Sequence, residues 1–380
     1  MNEEIYLDHA STTYTDERVL EAMLPYFSEI YGNPETFHKQ GKKSMIAIDD
    51  ARETIAKILN CRQSEVIFTG SATESNNLAI QGAARAYKAQ GTHIITSAME
   101  HSSLLEPLQM LVDEGFSVTY VKPNKEGFID PKDVEDAIQK DTILVSIMHA
   151  NNEIGTIQPI AKIGEICKRN NLIFHTDAAQ TAASESLDTK ILNVDLLTLN
   201  AGKIYGPKGI GALFVKQGIR LKPIIVGGSH EFGLRAGTHN VPAIVGMAKA
   251  LEFIQSEKEE ENDRLTTLRD LLIDGILDNI PNSHLNGSKT NRLPNNVNIS
   301  FKGLNATELI LHLDEQNIFM NTGAACKKGK EGCSPTLTAI GLCDEDIAAT
   351  LRLSLGKRNT KQQIEKVIKT LTDIVKNLKK

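Results

Sequence analysis

The sequence has no tryptophan, no low-complexity tract and no internal repeat, and it has only five cysteines in 380 residues. Cys61, Cys167, Cys326, Cys333 and Cys343 are odd in number and widely spaced. That pattern argues against a disulfide framework and for a reducing compartment, the cytoplasm. No close Cys-x-x-Cys pair occurs, so a cysteine-based zinc site is not expected, and no metal ligand set is expected elsewhere. No apolar run approaches the roughly 20 residues of a membrane-spanning helix. The start, Met1-Asn2-Glu3-Glu4, is acidic and meets a strand almost at once, so no signal or transit peptide is expected. A formal charge of −6 gives no general reason to expect direct nucleic-acid binding. With 41% hydrophobic and 24% charged residues, the composition is that of an ordinary globular chain.

Apolar strand-like runs alternate with helical patterns through the first two-thirds. Runs at 66–69, 93–96, 118–121, 142–148 and 172–176 read as strands. The segments 75–90, 103–114 and 159–170 between them read as helices. Repeated βα order predicts an α/β fold with a mostly parallel, helix-covered sheet, and ligands beyond the carboxyl ends of its strands. After residue 241 the texture changes. Residues 241–279 read as one long helical stretch, with Glu257-Lys258-Glu259-Glu260-Glu261 as a solvated face. Residues 297–301 alternate like a half-buried strand, and 360–378 read as a basic amphipathic helix. The expected division is a large domain over 15–250 and a smaller α+β domain over 1–14 plus 251–380.

Asp177 ends an apolar strand, and Lys203 lies in the glycine-rich segment Asn200-Ala201-Gly202-Lys203-Ile204-Tyr205-Gly206-Pro207-Lys208-Gly209. A strand-end carboxylate and a lysine returned to the same sheet edge suit pyridoxal phosphate (PLP). The lysine can form a Schiff base, and the carboxylate can pair with the pyridinium nitrogen. Taken alone, Asp177 after a strand is often only a helix N-cap. Ser71-Ala72-Thr73-Glu74 opens a helix whose amides could hold a phosphate, although Ser71 or Thr73 also suits a plain cap. His101 could stack on a ring or move protons. Asn151 and Asn152 follow a strand and are also common turn formers. Arg352, inside an apolar strand, needs an anionic partner, and a substrate carboxylate would match its fork. Cys326, among lysines and small residues, reads as an exposed thiol with its thiolate favoured, or as a bystander.

Taken together and in order, these segments resemble the NifS/IscS-like cysteine desulfurases, class V of the fold-type I PLP enzymes. The likeness runs from Tyr6-Leu7-Asp8-His9-Ala10-Ser11-Thr12-Thr13 through Tyr31-Gly32-Asn33-Pro34 and Thr69-Gly70-Ser71-Ala72-Thr73-Glu74-Ser75-Asn76-Asn77. It continues through Met99-Glu100-His101, His149-Ala150-Asn151-Asn152-Glu153-Ile154-Gly155 and Asp177-Ala178-Ala179-Gln180 to Arg352-Leu353-Ser354-Leu355-Gly356. The resemblance implies that Lys203 holds PLP and later moves the Cα proton, while Asp177 pairs with the ring nitrogen. It implies that Gln180 and Asn152 lie at the ring hydroxyl and substrate, and that His101 stacks on the ring and acts as acid/base. Ala72, Thr73 and Asn200 are then cofactor contacts, with Thr238 contributing to the phosphate across a homodimer. Arg352 binds the carboxylate of L-cysteine. Cys326 takes the sulfur as a persulfide, leaving alanine, and hands it to an acceptor such as an iron–sulfur scaffold or a thiolation partner.

Three departures stand out. Asn200-Ala201-Gly202 replaces the family's usual Ser-Gly-His before the lysine, Ser229 interrupts a usual glycine run, and the segment after Cys326 is lysine-rich and carries Cys333. They leave open a selenocysteine lyase, or a PLP-poor scaffold for sulfur-transfer partners.

Overall fold

The computed structural model describes residues 4–323 and 334–378. A short strand, β1 (Ile5–Tyr6), opens the chain, and helices Glu17–Met23, Pro25–Ser28 and Lys39–Leu59 follow. Seven strands then build the main sheet: β2 (Val66–Thr69), β3 (His93–Ser97), β4 (Ser117–Val121), β5 (Thr142–Ser146), β6 (Ile173–Asp177), β7 (Leu196–Asn200) and β8 (Gly211–Val215). Their spatial order is β2-β8-β7-β6-β5-β3-β4. All neighbours run parallel except β8, which is antiparallel to both β2 and β7. The reversal follows from the connection. A parallel return needs a crossover of about a dozen residues or more, usually a helix. Between β7 and β8 lie only a one-turn helix, Ala201–Lys203, and a tight glycine-proline turn.

Side-chain alternation along these strands separates two cores. Phe68, Ile95, Val145, Phe174, Leu197 and Phe214 pack on one face with residues of the Lys39–Leu59 and Val241–Ser256 helices. Their immediate neighbours Ile67, Ile94, Leu144, Ile173, Leu196 and Leu213 pack on the other with the Ala72–Tyr87 and Ser102–Asp113 helices. Burial on both faces explains the near-continuous apolar runs.

A second sheet holds β9 (Ser283–Leu285), β10 (Asn296–Phe301), β12 (Asn321–Thr322) and β13 (Thr350–Ser354), in the order β12-β13-β10-β9 and wholly antiparallel. The remaining strand, β11 (Ile318–Phe319), pairs in parallel with β1. Ile5 and Leu7 thereby join a third core with Ile299, Leu351, Leu353 and residues of helices Lys258–Asn279 and Lys361–Leu378.

Two details differ from the sequence reading. The stretch 241–279 divides at Glu257 into helices Val241–Ser256 and Lys258–Asn279. Its charged block is not wholly solvated: Glu257 accepts from Arg18 at 2.7 Å and from Lys357 at 2.5 Å, and Glu261 pairs with Arg264 at 2.7 Å. Secondly, β10 is buried at all six positions. Its polar side chains face protein: Asn296 and Asn298 both donate to the Glu153 carbonyl, and Ser300 meets Thr350.

Candidate active site

The carboxyl ends of the parallel strands meet at one edge of the main sheet. Asp177 is the last residue of β6, Asn200 the last of β7, and Lys203 sits in the one-turn helix immediately beyond. His101 follows β3, Asn152 follows β5, and the Ala72–Tyr87 helix begins just after β2. Gly211 lets that helix start come close: a Cβ there would lie 2.7 Å from the Ser71 carbonyl carbon and 3.0 Å from the Ala72 nitrogen. The edge encloses a cavity of about 350 Å³. Ala72, Thr73, His101, Asn152, Asp177, Gln180, Asn200, Lys203 and Arg352 all line it. Arg352 comes from β13 of the other sheet, so the cavity lies between the two sheets.

Asp177 is buried, with both carboxylate oxygens hydrogen-bonded. Its Oδ2 accepts from Asn76 Nδ2 at 2.7 Å, and its Oδ1 accepts from the Ala179 amide at 2.9 Å. The second Nδ2 hydrogen of Asn76 goes to Ser103 Oγ at 2.8 Å. Ser103 in turn meets His101: its hydroxyl lies 2.9 Å from Nδ1, and its amide donates to the same nitrogen at 3.2 Å. Because Nδ1 accepts, the neutral imidazole carries its proton on Nε2. Burial lowers the His101 pKa; Asp177 opposes that effect, while Lys203 and Arg352 reinforce it. A hydrogen-bonded line therefore runs from Asp177 through Asn76 and Ser103 to His101.

Lys203 donates to the Ser11 carbonyl. Burial, helped by Arg352 and opposed by Asp8 and Asp177, pulls its pKa from 10.5 to about 8. The turn after it is tightly held. Tyr205 has φ 61°, a left-handed conformation costly for a bulky residue. Three bonds hold it there: its amide donates to Thr13 Oγ1, its carbonyl accepts from Asp16, and its hydroxyl accepts from the Lys357 amide.

The anionic partner that Arg352 required is Asp8, at 2.9 Å from Nη2. Nη2 also donates to Ser11 Oγ at 2.6 Å, and Nη1 donates to the Asn152 carbonyl at 3.2 Å. Nε is buried with no hydrogen-bond partner among the described residues, so the fork retains donor capacity. Gln180 is tied by Nε2 to the Ala10 carbonyl at 3.0 Å. Asn200 caps the one-turn helix, its Oδ1 accepting from the Gly202 amide at 3.0 Å. Gly202 itself is roomy, since a Cβ would meet nothing nearer than 3.5 Å.

One sequence-predicted residue among those described does not line this cavity. Thr238 is exposed in the loop before helix Val241–Ser256 and does not line it. Cys326 lies outside the described residues. The helix cap proves to be Ser71, whose Oγ accepts from the Glu74 amide, leaving Thr73 exposed on the first turn. Asn151 is structural: it is wholly buried, and its Oδ1 accepts from the amides of Glu153 and Ile154. Sequence reasoning gave no role to Asp8, Ser11, Asn76, Ser103 or Glu100. The last is fully buried, and burial, with Asp177 adding to it, pushes its pKa up to about 8.

This geometry has relatives. The family model described as aminotransferase class-V matches residues 5–367. The chain belongs to the class-V aminotransferase family. It is 47% identical over 378 residues to a protein named cysteine desulfurase IscS from Clostridium botulinum, covering 99% of this chain and 95% of that one. It is 46% identical to a cysteine desulfurase IscS from Methanosarcina thermophila, covering 100% of this chain and 93% of that one. Among solved structures, a NifS-like protein superposes with a TM-score of 0.93 at 34% identity, covering 98% of this chain and all 100% of the other. A structure described as SspA in complex with cysteine superposes at 0.83 with 38% identity, covering 92% and 98%. The class-V match thus extends across both sheets and the cavity between them.

Proposed function

We propose that this chain is a PLP-dependent cysteine desulfurase that converts L-cysteine to L-alanine and passes the sulfur to Cys326 as a persulfide. The observation that carries the reading is the convergence of Lys203, Asp177 and Arg352 on one cavity: an amine of lowered pKa, a buried carboxylate and a guanidinium with donor capacity left. Class-V membership and the names of its relatives support it.

The residues fit the cofactor. Asp177, fixed by two donors, would hold a protonated pyridine nitrogen. The amides that open the Ala72–Tyr87 helix, with the Thr73 hydroxyl, would hold a phosphate. Asn200 and Gln180 would flank the ring. When bound, PLP supplies an electron sink for charge developing at the substrate Cα.

The side chains do the rest. A lysine must be neutral to attack a carbonyl or to accept a proton. With its pKa near 8, roughly a quarter of Lys203 is neutral at pH 7.5, against about one part in a thousand at the ordinary value. Lys203 is the base and acid at Cα. His101, set as the Nε2–H tautomer, is the second acid/base and would lie against the cofactor ring. Arg352 takes the substrate carboxylate, sharing its fork with Asp8 and Ser11. Cys326 receives the sulfur as its thiolate. A homodimer would let Thr238 contribute to the phosphate of a second copy's site. An acceptor such as an iron–sulfur scaffold or a thiolation partner would take the sulfur onward. Cys61, Cys167 and Cys343 are free thiols, which suits a reducing cytoplasm.

The test is to load the purified chain with PLP, supply L-cysteine, and measure alanine and sulfide. The proposal expects visible absorbance of bound PLP and alanine formation that Lys203→Ala abolishes. Bound PLP with no alanine overturns it, and a colourless protein that binds a sulfur acceptor favours the scaffold reading. Comparing Cys326→Ser on cysteine and selenocysteine separates a desulfurase, which loses cysteine turnover, from a lyase that retains selenocysteine turnover.

A further inference from the structure

Away from the cavity, two loops bring together three metal-binding side chains. We infer that Glu35, His230 and His239 form a binding site for a divalent transition-metal ion, zinc being the best match. One ligand atom from each lies within 4.8 Å of the other two. The backbone makes this meeting possible: Glu231, Phe232 and Gly233 all take positive φ, at 49°, 57° and 78°. That left-handed run turns the chain sharply, so His230 and His239 face each other, with ring centroids 5.3 Å apart and planes inclined at 62°. The loop at Asn33-Pro34-Glu35 supplies the carboxylate.

The hydrogen bonding of His239 carries the inference. Its side chain is only 7% exposed, and Nε2 lies 2.7 Å from Glu231 Oε1. The other Glu231 oxygen, Oε2, accepts from the Phe68 amide at 2.7 Å. Arg52 grips this carboxylate with both terminal nitrogens, at 2.8 and 2.7 Å. A carboxylate gripped by an arginine fork, one nitrogen to each oxygen, accepts, so His239 Nε2 carries the hydrogen. In the neutral ring the lone pair is then on Nδ1. That atom is buried and has no hydrogen-bond partner among the described residues. A metal ion supplies the missing partner. A histidine held by a carboxylate through one nitrogen and ligating through the other is the usual outer-shell arrangement of metal sites. Two imidazoles and one carboxylate suit zinc and its neighbours rather than calcium or magnesium, and they leave one position for water. His230 Nδ1 takes only a long contact, 3.4 Å, from the Gly237 amide, which leaves its ring free to adjust. The ion would link the loop around Glu35 to the loop that carries Thr238.

The experiment uses the full chain with its cofactor bound, titrated with Co(II) and then with Zn(II) in competition. The parent should bind one equivalent, show the visible bands of nitrogen/oxygen-ligated cobalt, and gain thermal stability with added zinc. His239→Ala should weaken binding by about 100-fold or more, and Glu35→Gln by about 10-fold. Glu35 is exposed, so its variant keeps the fold even if the His239 change does not. Absence of binding by the parent overturns the site. So does unchanged affinity in Glu35→Gln, or a thiolate-to-cobalt charge-transfer band, which would place the ion on cysteine.

Discussion

Replacing Lys203 by methionine in the cofactor-free chain should stabilise it at neutral pH and flatten its response to alkali. Folding moves this amine from a pKa of 10.5 to about 8, chiefly by burial. At about 1.4 kcal/mol per pKa unit, the charged form loses roughly 3 kcal/mol on folding. Methionine relieves that cost but also removes the bond to the Ser11 carbonyl, worth about 1 kcal/mol. The net expectation is about 2 kcal/mol of added stability at pH 7. Because the folded pKa is the lower one, the cost is fully present below about pH 8. As the pH rises towards 10.5, the folded chain sheds the proton first, and the parent gains stability relative to the variant. Urea unfolding of both apo proteins at pH 7 and about pH 10 measures the difference. Parallel change of the two proteins with pH, or a variant less stable at pH 7, would refute a buried, destabilising Lys203 charge.

Three further outcomes follow from buried polar groups. Asn76→Ala strips a charge-assisted bond from Asp177 and a donor from Ser103, so it should cost about 1–3 kcal/mol of stability and weaken PLP binding; urea unfolding and a spectral titration with PLP read both effects. Arg52→Met leaves the buried Glu231 carboxylate without its main partner and should cost about 3–5 kcal/mol. Glu231, at about 2, stabilises the fold above its unfolded pKa and loses that effect as the pH falls, so the acid-unfolding midpoint of Arg52→Met should move to higher pH in a circular-dichroism titration. Glu100 behaves oppositely: with its folded pKa raised to about 8, the unfolded chain ionises first and stability falls from pH 5 to 8. Glu100→Gln should remove that decline, seen in unfolding curves across the same range.

Much of this was legible in the chain itself. The βα alternation gave a mostly parallel sheet, because strands buried on both faces must read as apolar runs. The reversal of β8 was not legible in composition; it follows from the shortness of the connection through Lys203. The polar alternation of β10 suggested a solvent face, yet its asparagines bond to a loop of the main sheet, a tertiary fact that no local pattern carries. At the site, residues with distinctive chemistry were recognisable from their motifs. Asp8, Asn76 and Ser103 were not, since a short polar side chain beside a strand end looks like any cap until its partner is known. The meeting of Glu35 with His230 and His239 was equally hidden, because its ligands come from distant loops.

The most direct test of the proposed chemistry is mass spectrometry of the PLP-loaded chain after a single turnover with sulfur-labelled L-cysteine. A desulfurase should release one alanine per site and leave one labelled sulfur atom on the peptide containing Cys326, with Cys333 read in the same experiment. Bound PLP with neither alanine nor labelled sulfur on Cys326 would contradict that chemistry.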